Sequence, residues 1–429
     1  MHNADLSLTE ISKVEGAASL NVKVKNGKVA ECKFTITEFK RFYTQAMRGK
    51  HYAALPQFLS RVCGTCSNAH ILCSIESCEK ALGITPTPQS MTMKKLTISG
   101  LNIRDHALHL YLFALPDIYG IDAFLDLDEN NPEQHQILHD AFEIKEVGNF
   151  LATIIAGRSV HGLYPTVGGF LQIPKPEDVA TAIKKLKDVR PAVLRTIKIF
   201  ENCKFNFDNK THYMALTCNP FGFLEGEIKN DIGEVIQEAD YRDHLERVII
   251  PYSQASGYRH EGESFMVGSL ARLNLSKDTL HENTKKDAAS ALVKFPSTNI
   301  FDNNLAQAVE ILHGVDVALD LLETTKFKKE ALAKPTRKSG VGIGVIEAPR
   351  GTLYHKVSIG EDGVVLEGEI IVPTGQNQIN IERDIARLIE ELIEKDLSKE
   401  DIQFEMEKLI RAYDPCMSCA AHFLKVNWS

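Results

Sequence analysis

Two short cysteine pairs near opposite ends of the chain place the strongest constraint on its fold. RVCGTCSNAH covers residues 61–70 and DPCMSCAAH covers residues 414–422, so each segment holds a Cys-x-x-Cys pair followed by a histidine. Free thiols are soft ligands that suit zinc, iron and nickel. If both pairs serve one site, the two ends of this 429-residue chain must meet inside the folded protein.

The composition is typical of an ordinary soluble globular protein, with 44% hydrophobic and 25% charged residues. The formal net charge of -8 and the lack of a basic stripe argue against a nucleic-acid partner. The sequence has no run of eighteen apolar residues that would predict a membrane span, and its N-terminus lacks the pattern of a secretory signal. We therefore expect a cytoplasmic location and reduced thiols among the nine cysteines.

Local patterns predict an α+β fold that is predominantly α. Alternation around Asn26-Gly27 predicts a β-hairpin at about 17–37. An apolar stripe with helical spacing predicts a helix at 67–82, capped by Ser67 and ended at Gly83. We expect a helical middle at about 67–325, with further helices near 91–115, 133–157, 177–203, 232–250 and 301–325. A β-rich segment at about 341–373 and helices within 380–412 precede the second cysteine pair in segment 414–422.

Four interpretations of the cysteine pairs remain open from the residues alone. Buried free cysteines can serve as small hydrophobic core residues, although two similar pairs make this weak. A structural zinc site is the second, but zinc-binding pairs usually lie about 15–20 residues apart. Thiol–disulfide exchange is the third, yet the second pair follows Pro415 instead of opening a helix after a strand. The fourth is a redox metal centre held by thiolates from both ends of the chain.

The two segments resemble the signature motifs of the large subunit of [NiFe] hydrogenases. Other segments resemble further blocks of that family in the same order: KVEG at 13–16, RDHALHLYLFALPD at 104–117, GRSVHGLYPTVGG at 157–169, EAPRGTLYH at 347–355 and VPTGQN at 372–377. The likeness extends from residue 13 to residue 422. It implies a single compact catalytic domain over residues 1–429 that cleaves H2 reversibly and heterolytically into protons and electrons.

The resemblance also implies a set of metal ligands. All four cysteines of the pairs ligate nickel, namely Cys63, Cys66, Cys416 and Cys419. Cys66 and Cys419 also bridge to an iron that carries cyanide and carbon monoxide ligands. Cys416 takes the proton when H2 is split, and Glu15 relays that proton outward.

Four further side chains have expected roles by the same resemblance, and a fifth, His70, has one because it lies one helical turn after Cys66. Arg350 lies over the open edge of the two metals and is oriented by the carboxylates of Asp105 and Asp414. His70 hydrogen-bonds a cysteine sulfur, as residues beyond the direct ligands often do. Thr374 donates a hydrogen bond to a cyanide on the iron.

The resemblance also implies a magnesium ion, but its usual ligands are only partly present in this sequence. His422 resembles the last residue of the mature family protein, which ligates magnesium together with a glutamate upstream of the first cysteine pair. Thr44 stands in the place of that glutamate here, so the usual ligand set is incomplete. The tail FLKVNWS after His422 is short for the tail that family precursors lose, so the chain is either unprocessed or retains its end.

Electrons released from H2 need a route out of the chain. No further cysteines have the spacing of an iron–sulfur cluster site, so the expected partner is a small subunit that carries such clusters, with further electron-acceptor subunits beyond it. The expected class is a cytosolic multi-subunit hydrogenase with H2 and protons as substrates. The alternatives are a metal-free relative resembling the quinone-site subunit of respiratory complex I and a structural zinc protein.

Overall fold

The computed structural model describes residues 4–39, 42–395 and 397–421. Helices form the larger part of these residues, and the strands form five small sheets. This is the α+β, predominantly α class that the sequence predicts. In the part of the chain that the structure describes, no helix has both the length and the apolar character needed to cross a membrane.

Fifteen α-helices lie within the described residues. They are α1 (Tyr43–Ala46), α2 (Leu55–Leu59), α3 (Ser67–Leu82), α4 (Pro88–Leu108), α5 (Leu115–Tyr119), α6 (Pro132–Ala156), α7 (Pro176–Glu201), α8 (Tyr241–His244), α9 (Ser269–Ser276), α10 (Glu282–Asp287), α11 (Ala289–Leu292), α12 (Asp302–Thr324), α13 (Pro373–Glu394), α14 (Lys399–Ala412) and α15 (Met417–Ala420). A π-helical turn at His109–Ala114 joins α4 to α5. The long helices α4, α6, α7 and α12 pack against one another.

The strands follow the same chain order. They are β1 (Ala4–Leu8), β2 (Ala18–Lys25), β3 (Lys28–Ile36), β4 (Pro165–Thr166), β5 (Gly169–Phe170), β6 (His212–Thr217), β7 (Glu227–Asn230), β8 (Val235–Ile236), β9 (Glu246–Ile249), β10 (Ser256–Arg259), β11 (Phe265–Met266), β12 (Gly340–Ala348), β13 (Gly351–Ile359) and β14 (Val365–Ile371). The sheet orders are β1-β2-β3, β4-β5, β11-β6-β7-β8, β10-β9 and β12-β13-β14. Only the β11–β6 pairing is parallel among these strands.

The N-terminal hairpin confirms the sequence pattern. Asn26 and Gly27 have φ angles of 52° and 75°, as a two-residue turn with both central residues in the left-handed region requires. Along β2, Leu20, Val22 and Val24 are buried while the residues between them face outward or lie half-buried. The alternation therefore sets which face of this sheet meets the core.

Helix α3 occupies the predicted residues, but its start differs from the prediction. Cys66, not Ser67, is the N-cap residue, and Gly83 ends the helix with a φ of 64°. The Ser67 hydroxyl instead accepts a hydrogen bond from the backbone N–H of His161 at 2.8 Å. The start of α3 is thus joined to the 157–171 segment, which the local sequence did not reveal.

Glycines on β12 allow this strand to lie directly against α3. A Cβ atom on Gly342 would overlap the backbone carbonyl of Ser77, and one on Gly344 would overlap that of Cys73. Glycine is used where two backbones approach closely. Arg350 follows the strand Gly340–Ala348 by two residues. The packing of this strand on α3 therefore helps to fix the position of Arg350.

One predicted helix is wrong, and the predicted helical middle at 67–325 is interrupted. Residues 232–250 form β8, a 3-10 turn at Glu238–Asp240, the short helix α8 and β9 instead of one long helix. The run Val248-Ile249-Ile250 is β-branched and is followed by Pro251, which favours a strand that ends there. Eight strands, β4 to β11, lie inside the range that the pattern predicted as helical.

Two hydrophobic clusters make up the core of the described residues. The larger cluster includes buried side chains from Leu6 to Ala421 and so joins both ends of the chain. The smaller cluster lies at β6, β7 and the strands and loops around them, with Tyr258 and Phe265 among its members. The single catalytic domain over 1–429 stays a prediction, which the shared larger core supports.

Candidate metal centre

The two ends of the chain meet at the cysteine pairs. Cys63 follows a short helical turn at Ser60–Val62, and Cys66 lies at the N-terminus of α3. From the other end, Cys416 precedes α15, which contains Cys419. A parallel backbone bridge joins Glu15 to Cys416, and the N–H of Met417 donates to the Glu15 carbonyl at 2.9 Å. The N-terminal segment therefore braces the second pair.

The four sulfur atoms form one buried cluster. All of them lie within 4.8 Å of one another, and no cysteine is more than 5% exposed. The Sγ atoms of Cys63 and Cys416 are 3.3 Å apart, and those of Cys66 and Cys419 are 3.1 Å apart. Each cysteine from one end of the chain thus lies beside a cysteine from the other end.

The chemistry of these four thiols fits a bound metal ion. Burial raises the pKa of Cys416 and of Cys419 well above the usual value for a thiol. Four thiolates at these separations would repel one another strongly in a dry interior. A soft cation bound by all four sulfurs removes that penalty, because thiolate is the ligand form of cysteine. Nickel and iron both meet this requirement, and the site residues therefore fit the group that the resemblance implies.

Glu15 lies directly beside the cluster. Its Oε2 atom is 3.0 Å from the Sγ atom of Cys416 and accepts the backbone N–H of Ser418 at 3.1 Å. Burial raises the pKa of this carboxyl above its usual value, and the charge of Cys63 raises it further. The side chain is half-buried, and the adjoining Gly16 is exposed. Glu15 therefore connects the sulfur cluster with the protein surface.

Arg350 forms a buried ion-pair group with two carboxylates. Its Nη1 atom donates to Asp105 at 2.6 Å, and its Nε atom donates to Asp414 at 3.0 Å. All three residues are at most 5% exposed. Asp414 has a φ of 50°, a left-handed conformation that is uncommon for a residue with a side chain and often marks a functional site. The guanidinium is therefore held from two sides.

A small cavity adjoins three of the cysteines. Its volume is about 10 Å³, roughly the space of one water-sized sphere. Arg350, Leu353, Pro373 and Thr374 line it together with Cys66, Cys416, Cys419 and others. The Thr374 hydroxyl accepts the backbone N–H of Cys416 at 2.8 Å. The space beside the sulfurs therefore admits only very small molecules.

His70 lies between a cysteine and a second histidine. Its Nε2 atom is 3.7 Å from the Sγ atom of Cys419, and its Nδ1 atom is 3.1 Å from Nε2 of His355. Both imidazoles are buried. The sequence pattern predicts a role for His70 but not for His355, although His355 ends the segment EAPRGTLYH.

The magnesium prediction lies outside the described residues, because His422 does. Thr44, which replaces the expected glutamate, is part of α1, and its hydroxyl oxygen is buried without a hydrogen-bond partner among the residues that the structure describes. The tail at 423–429 also lies outside the described range.

A buried network centred on Arg272 is not predicted by the sequence pattern. The guanidinium donates to Glu310 at 2.6 Å through both Nε and Nη2, and Nη1 donates to Glu347 at 2.6 Å. It also donates to the carbonyls of Ala348 and Pro349 at 3.1 and 3.0 Å. These two residues directly precede Arg350. Arg272 therefore holds the backbone that carries the site arginine.

The same network reaches the other side of Arg350. Glu310 contacts Nε2 of His106 at 3.0 Å, and His106 is the neighbour of Asp105 on α4. Although burial acts against ionisation, Arg272 and His106 hold the pKa of Glu310 at about 2. On α12, one helical turn from Glu310, Gln307 donates to Asp414 at 2.9 Å. In α12 Glu310 is flanked by Ala308, Val309, Ile311 and Leu312, and a charged residue with apolar neighbours on both sides was the signal that could have pointed to a buried charge here.

The fold and the site define a class of protein: a large α+β protein in which segments near both chain ends bring four cysteines together at one candidate metal site. Residues 41–139 and 234–422 match the family model of nickel-dependent hydrogenases. Sulfhydrogenase 1 subunit alpha of Pyrococcus furiosus is 30% identical over 435 residues, which cover 98% of each chain. The NAD-reducing hydrogenase HoxS subunit beta of Cupriavidus necator is 26% identical, over 98% of this chain and 95% of that protein.

Solved structures show the same fold. A crystal structure of an NAD+-reducing [NiFe]-hydrogenase in the H2-reduced state superposes with a TM-score of 0.89 at 21% identity, over 98% of this chain and all of that one. The chain belongs to the nickel-dependent hydrogenase family and is the large, catalytic subunit of a [NiFe] hydrogenase. The resemblance stated from the motifs is confirmed, and the metal-free relative and the structural zinc protein are set aside.

Proposed function

We propose that Cys63, Cys66, Cys416 and Cys419 hold a nickel–iron pair whose iron carries cyanide and carbon monoxide. This proposal rests on the four buried Sγ atoms, which come from opposite ends of the chain and lie within 4.8 Å of one another. When bound, the metal pair would supply the site at which H2 is polarised and split heterolytically, and the complete oxidation of H2 releases two protons and two electrons. Cys66 and Cys419 are the proposed bridging ligands, and their sulfurs are 3.1 Å apart.

The proposed first proton acceptor is the Sγ atom of Cys416. Glu15 then takes the proton, because its Oε2 atom is 3.0 Å from that sulfur. This distance is within hydrogen-bond reach, which general acid–base transfer requires. The half-buried position of Glu15 beside exposed Gly16 gives the proton a short way to solvent.

Arg350 is the proposed electrostatic residue of the site. Its guanidinium lines the same cavity as three of the cysteines, and two carboxylates fix its position. A fixed cation in a dry site stabilises developing negative charge without reorganisation. His70 and Thr374 are proposed to orient the site through Cys419 and through the backbone of Cys416.

The proposed partner is a small subunit that carries iron–sulfur clusters, with further electron-acceptor subunits beyond it. Its proposed docking face is the loop over the first cysteine pair, where Gly64 is exposed while Cys63 and Cys66 beneath it are buried. Leu163 and Leu171 are 46% and 57% exposed, and their segment is hydrogen-bonded to the start of α3. Apolar side chains of this kind are typical of subunit interfaces.

The cytoplasmic location and a magnesium ion at His422 stay predictions.

Infrared spectroscopy with metal analysis tests the proposed centre. The purified complex should contain nickel and iron and show absorption bands of metal-bound carbon monoxide and cyanide. Cys66→Ser should lose both the bands and the nickel, whereas Cys218→Ser, outside the cluster, should keep them. A protein that turns over H2 without such bands would overturn the proposed iron ligands, and one that holds only zinc would overturn the proposed metal pair.

A further inference from the structure

A second group of metal-binding side chains lies outside the four-cysteine cluster. Glu234, His260 and Glu261 each offer one ligand atom, and these three atoms lie within 4.8 Å of one another. Glu234 lies in the turn between β7 and β8, whereas His260 and Glu261 follow β10. The three residues take no part in the hydrogenase site described above.

The surroundings of His260 call for a positive charge. Its side chain is only 5% exposed, and each ring nitrogen faces an oxygen atom. Nδ1 lies 3.0 Å from the backbone carbonyl of His244, and Nε2 lies 2.7 Å from Oε2 of Glu234. A carbonyl can only accept, so Nδ1 carries the hydrogen. Nε2 then turns a lone pair toward a carboxylate, and among the described residues this contact is relieved only by the Nδ2 group of Asn230, which lies 3.3 Å from Nε2 and also donates to Oε2 of Glu234.

We propose that Glu234, His260 and Glu261 bind a divalent transition-metal ion of the zinc type. A metal-bound histidine commonly donates its other N–H to a backbone carbonyl, as Nδ1 of His260 does toward His244. One imidazole with two carboxylates is a ligand set that zinc accepts, whereas magnesium and calcium prefer oxygen ligands alone. The exposed position of Glu261 leaves room for water as a fourth ligand.

The geometry needs only a small adjustment to accept the ion. Ligand atoms about 2.0–2.2 Å from a tetrahedral zinc lie roughly 3.3 Å apart, so the 2.7 Å between Nε2 of His260 and Oε2 of Glu234 must widen by about 0.6 Å. Glu234 has a 34% exposed side chain that can move by this amount. Asn230 contacts both atoms through Nδ2, at 3.3 Å from Nε2 of His260, and gives up that contact when the metal binds.

A metal ion here would join two turns that are far apart in sequence. His260 and Glu263 exchange backbone hydrogen bonds of 2.9 Å around Glu261 and Gly262, whose φ angles are 49° and 82°. Glu234 belongs to the other turn, next to β7 of the smaller hydrophobic cluster. Binding that favours the folded state adds to its stability. The bound ion would therefore raise the thermal stability of this part of the protein.

Zinc titration of the nickel-loaded protein tests the proposal, because the cysteine site is then already filled. After treatment with a chelator, the protein is titrated with zinc chloride by calorimetry, and X-ray absorption identifies the ligand atoms. We expect one equivalent of zinc with nitrogen and oxygen ligands only. Glu261→Gln, a surface change, should weaken this binding by about tenfold or more and leave H2 turnover unchanged.

A matched control is available between β6 and the turn that contains Glu234. His212 lies 3.3 Å from Asp231 and is 47% exposed, so this pair offers an imidazole and a carboxylate without the buried arrangement. His212→Gln should bind zinc as the unmodified protein does. Equal zinc affinity in the Glu261→Gln variant and the unmodified protein, or no zinc uptake by the nickel-loaded protein, would overturn the site.

Discussion

The Sγ atom of Cys416 lies 3.0 Å from the Oε2 atom of Glu15, although 401 residues separate them in the sequence. A backbone bridge between the same two residues holds this contact in place. The N-terminal segment thus supplies both a structural support and a carboxylate to a thiol near the other end of the chain. The proposed proton transfer from Cys416 to Glu15 therefore requires that the two ends of the chain meet correctly.

Replacing Glu15 by glutamine tests its role as the proton relay. Glu15→Gln keeps the size of the side chain and can still accept the N–H of Ser418, but it cannot take a proton. We expect H2 turnover to fall by about 100-fold or more, with the nickel content unchanged. Glu38→Gln is the control, because Glu38 accepts the N–H of Ala17 at 3.1 Å and does not contact the cysteines. Full activity of Glu15→Gln would refute the relay.

Cys419→Ser should abolish H2 turnover while leaving most of the fold intact. Serine fills nearly the same space, but its hydroxyl is a poor ligand for soft metals. Circular dichroism should show unchanged helix content, and the hydrogen assay should show no activity. Cys218→Ser is the matched control, since Cys218 donates to the Pro220 carbonyl at 3.1 Å, a bond that serine can also form. Retained turnover in Cys419→Ser would rule out the bridging role.

Arg350→Lys should lower H2 turnover by about 100-fold, the effect of losing one preorganised donor in a dry site. Lysine keeps the charge but lacks the planar fork that reaches Asp105 and Asp414 together. Arg190→Lys is the control, because Arg190 also bridges two carboxylates, at 2.9 and 2.7 Å, away from the cysteines. If both variants lost activity equally, the loss would result from lower protein stability and not from the proposed electrostatic role of Arg350.

Arg272→Gln should lower the free energy of unfolding by about 3–5 kcal/mol, because it leaves Glu310 and Glu347 buried without their cation. The bands of the metal-bound diatomic ligands should also shift, since the backbone before Arg350 loses two hydrogen bonds. Chemical denaturation and infrared spectra of the same variant measure the two effects. A destabilised variant with unshifted bands would limit Arg272 to a structural role.

Gly342→Ala should destabilise the protein by about 1–3 kcal/mol, the usual cost of overpacking a tight contact. The added methyl group would overlap the backbone of α3 at Ser77 and Ala81. Gly64→Ala provides the comparison, since a Cβ atom there would meet nothing within 4 Å. Denaturant unfolding of both variants should show a loss for Gly342→Ala alone.

Features with a local cause were predictable from the sequence. The hairpin at Asn26-Gly27 follows from turn chemistry, and the end of α3 at Gly83 follows from the need for a left-handed residue there. The failed helix at 232–250 shows the limit of such reasoning. Its apolar residues fit a helical period loosely. However, the β-branched side chains favour strands, and β8 and β9 are stabilised by pairing with β7 and β10.

The sequence alone determined which thiols could bind a metal, because the two Cys-x-x-Cys motifs contain all four cysteines. The ability of a thiol to bind a soft metal is a property of the residue type. The tertiary structure decided what surrounds them. The contacts of Arg272 with Glu310 and Glu347 span 38 and 75 residues, and no local pattern marks these residues as partners. Such charges are stable in the core only when folding brings them together, since a buried charge without its partner is strongly disfavoured.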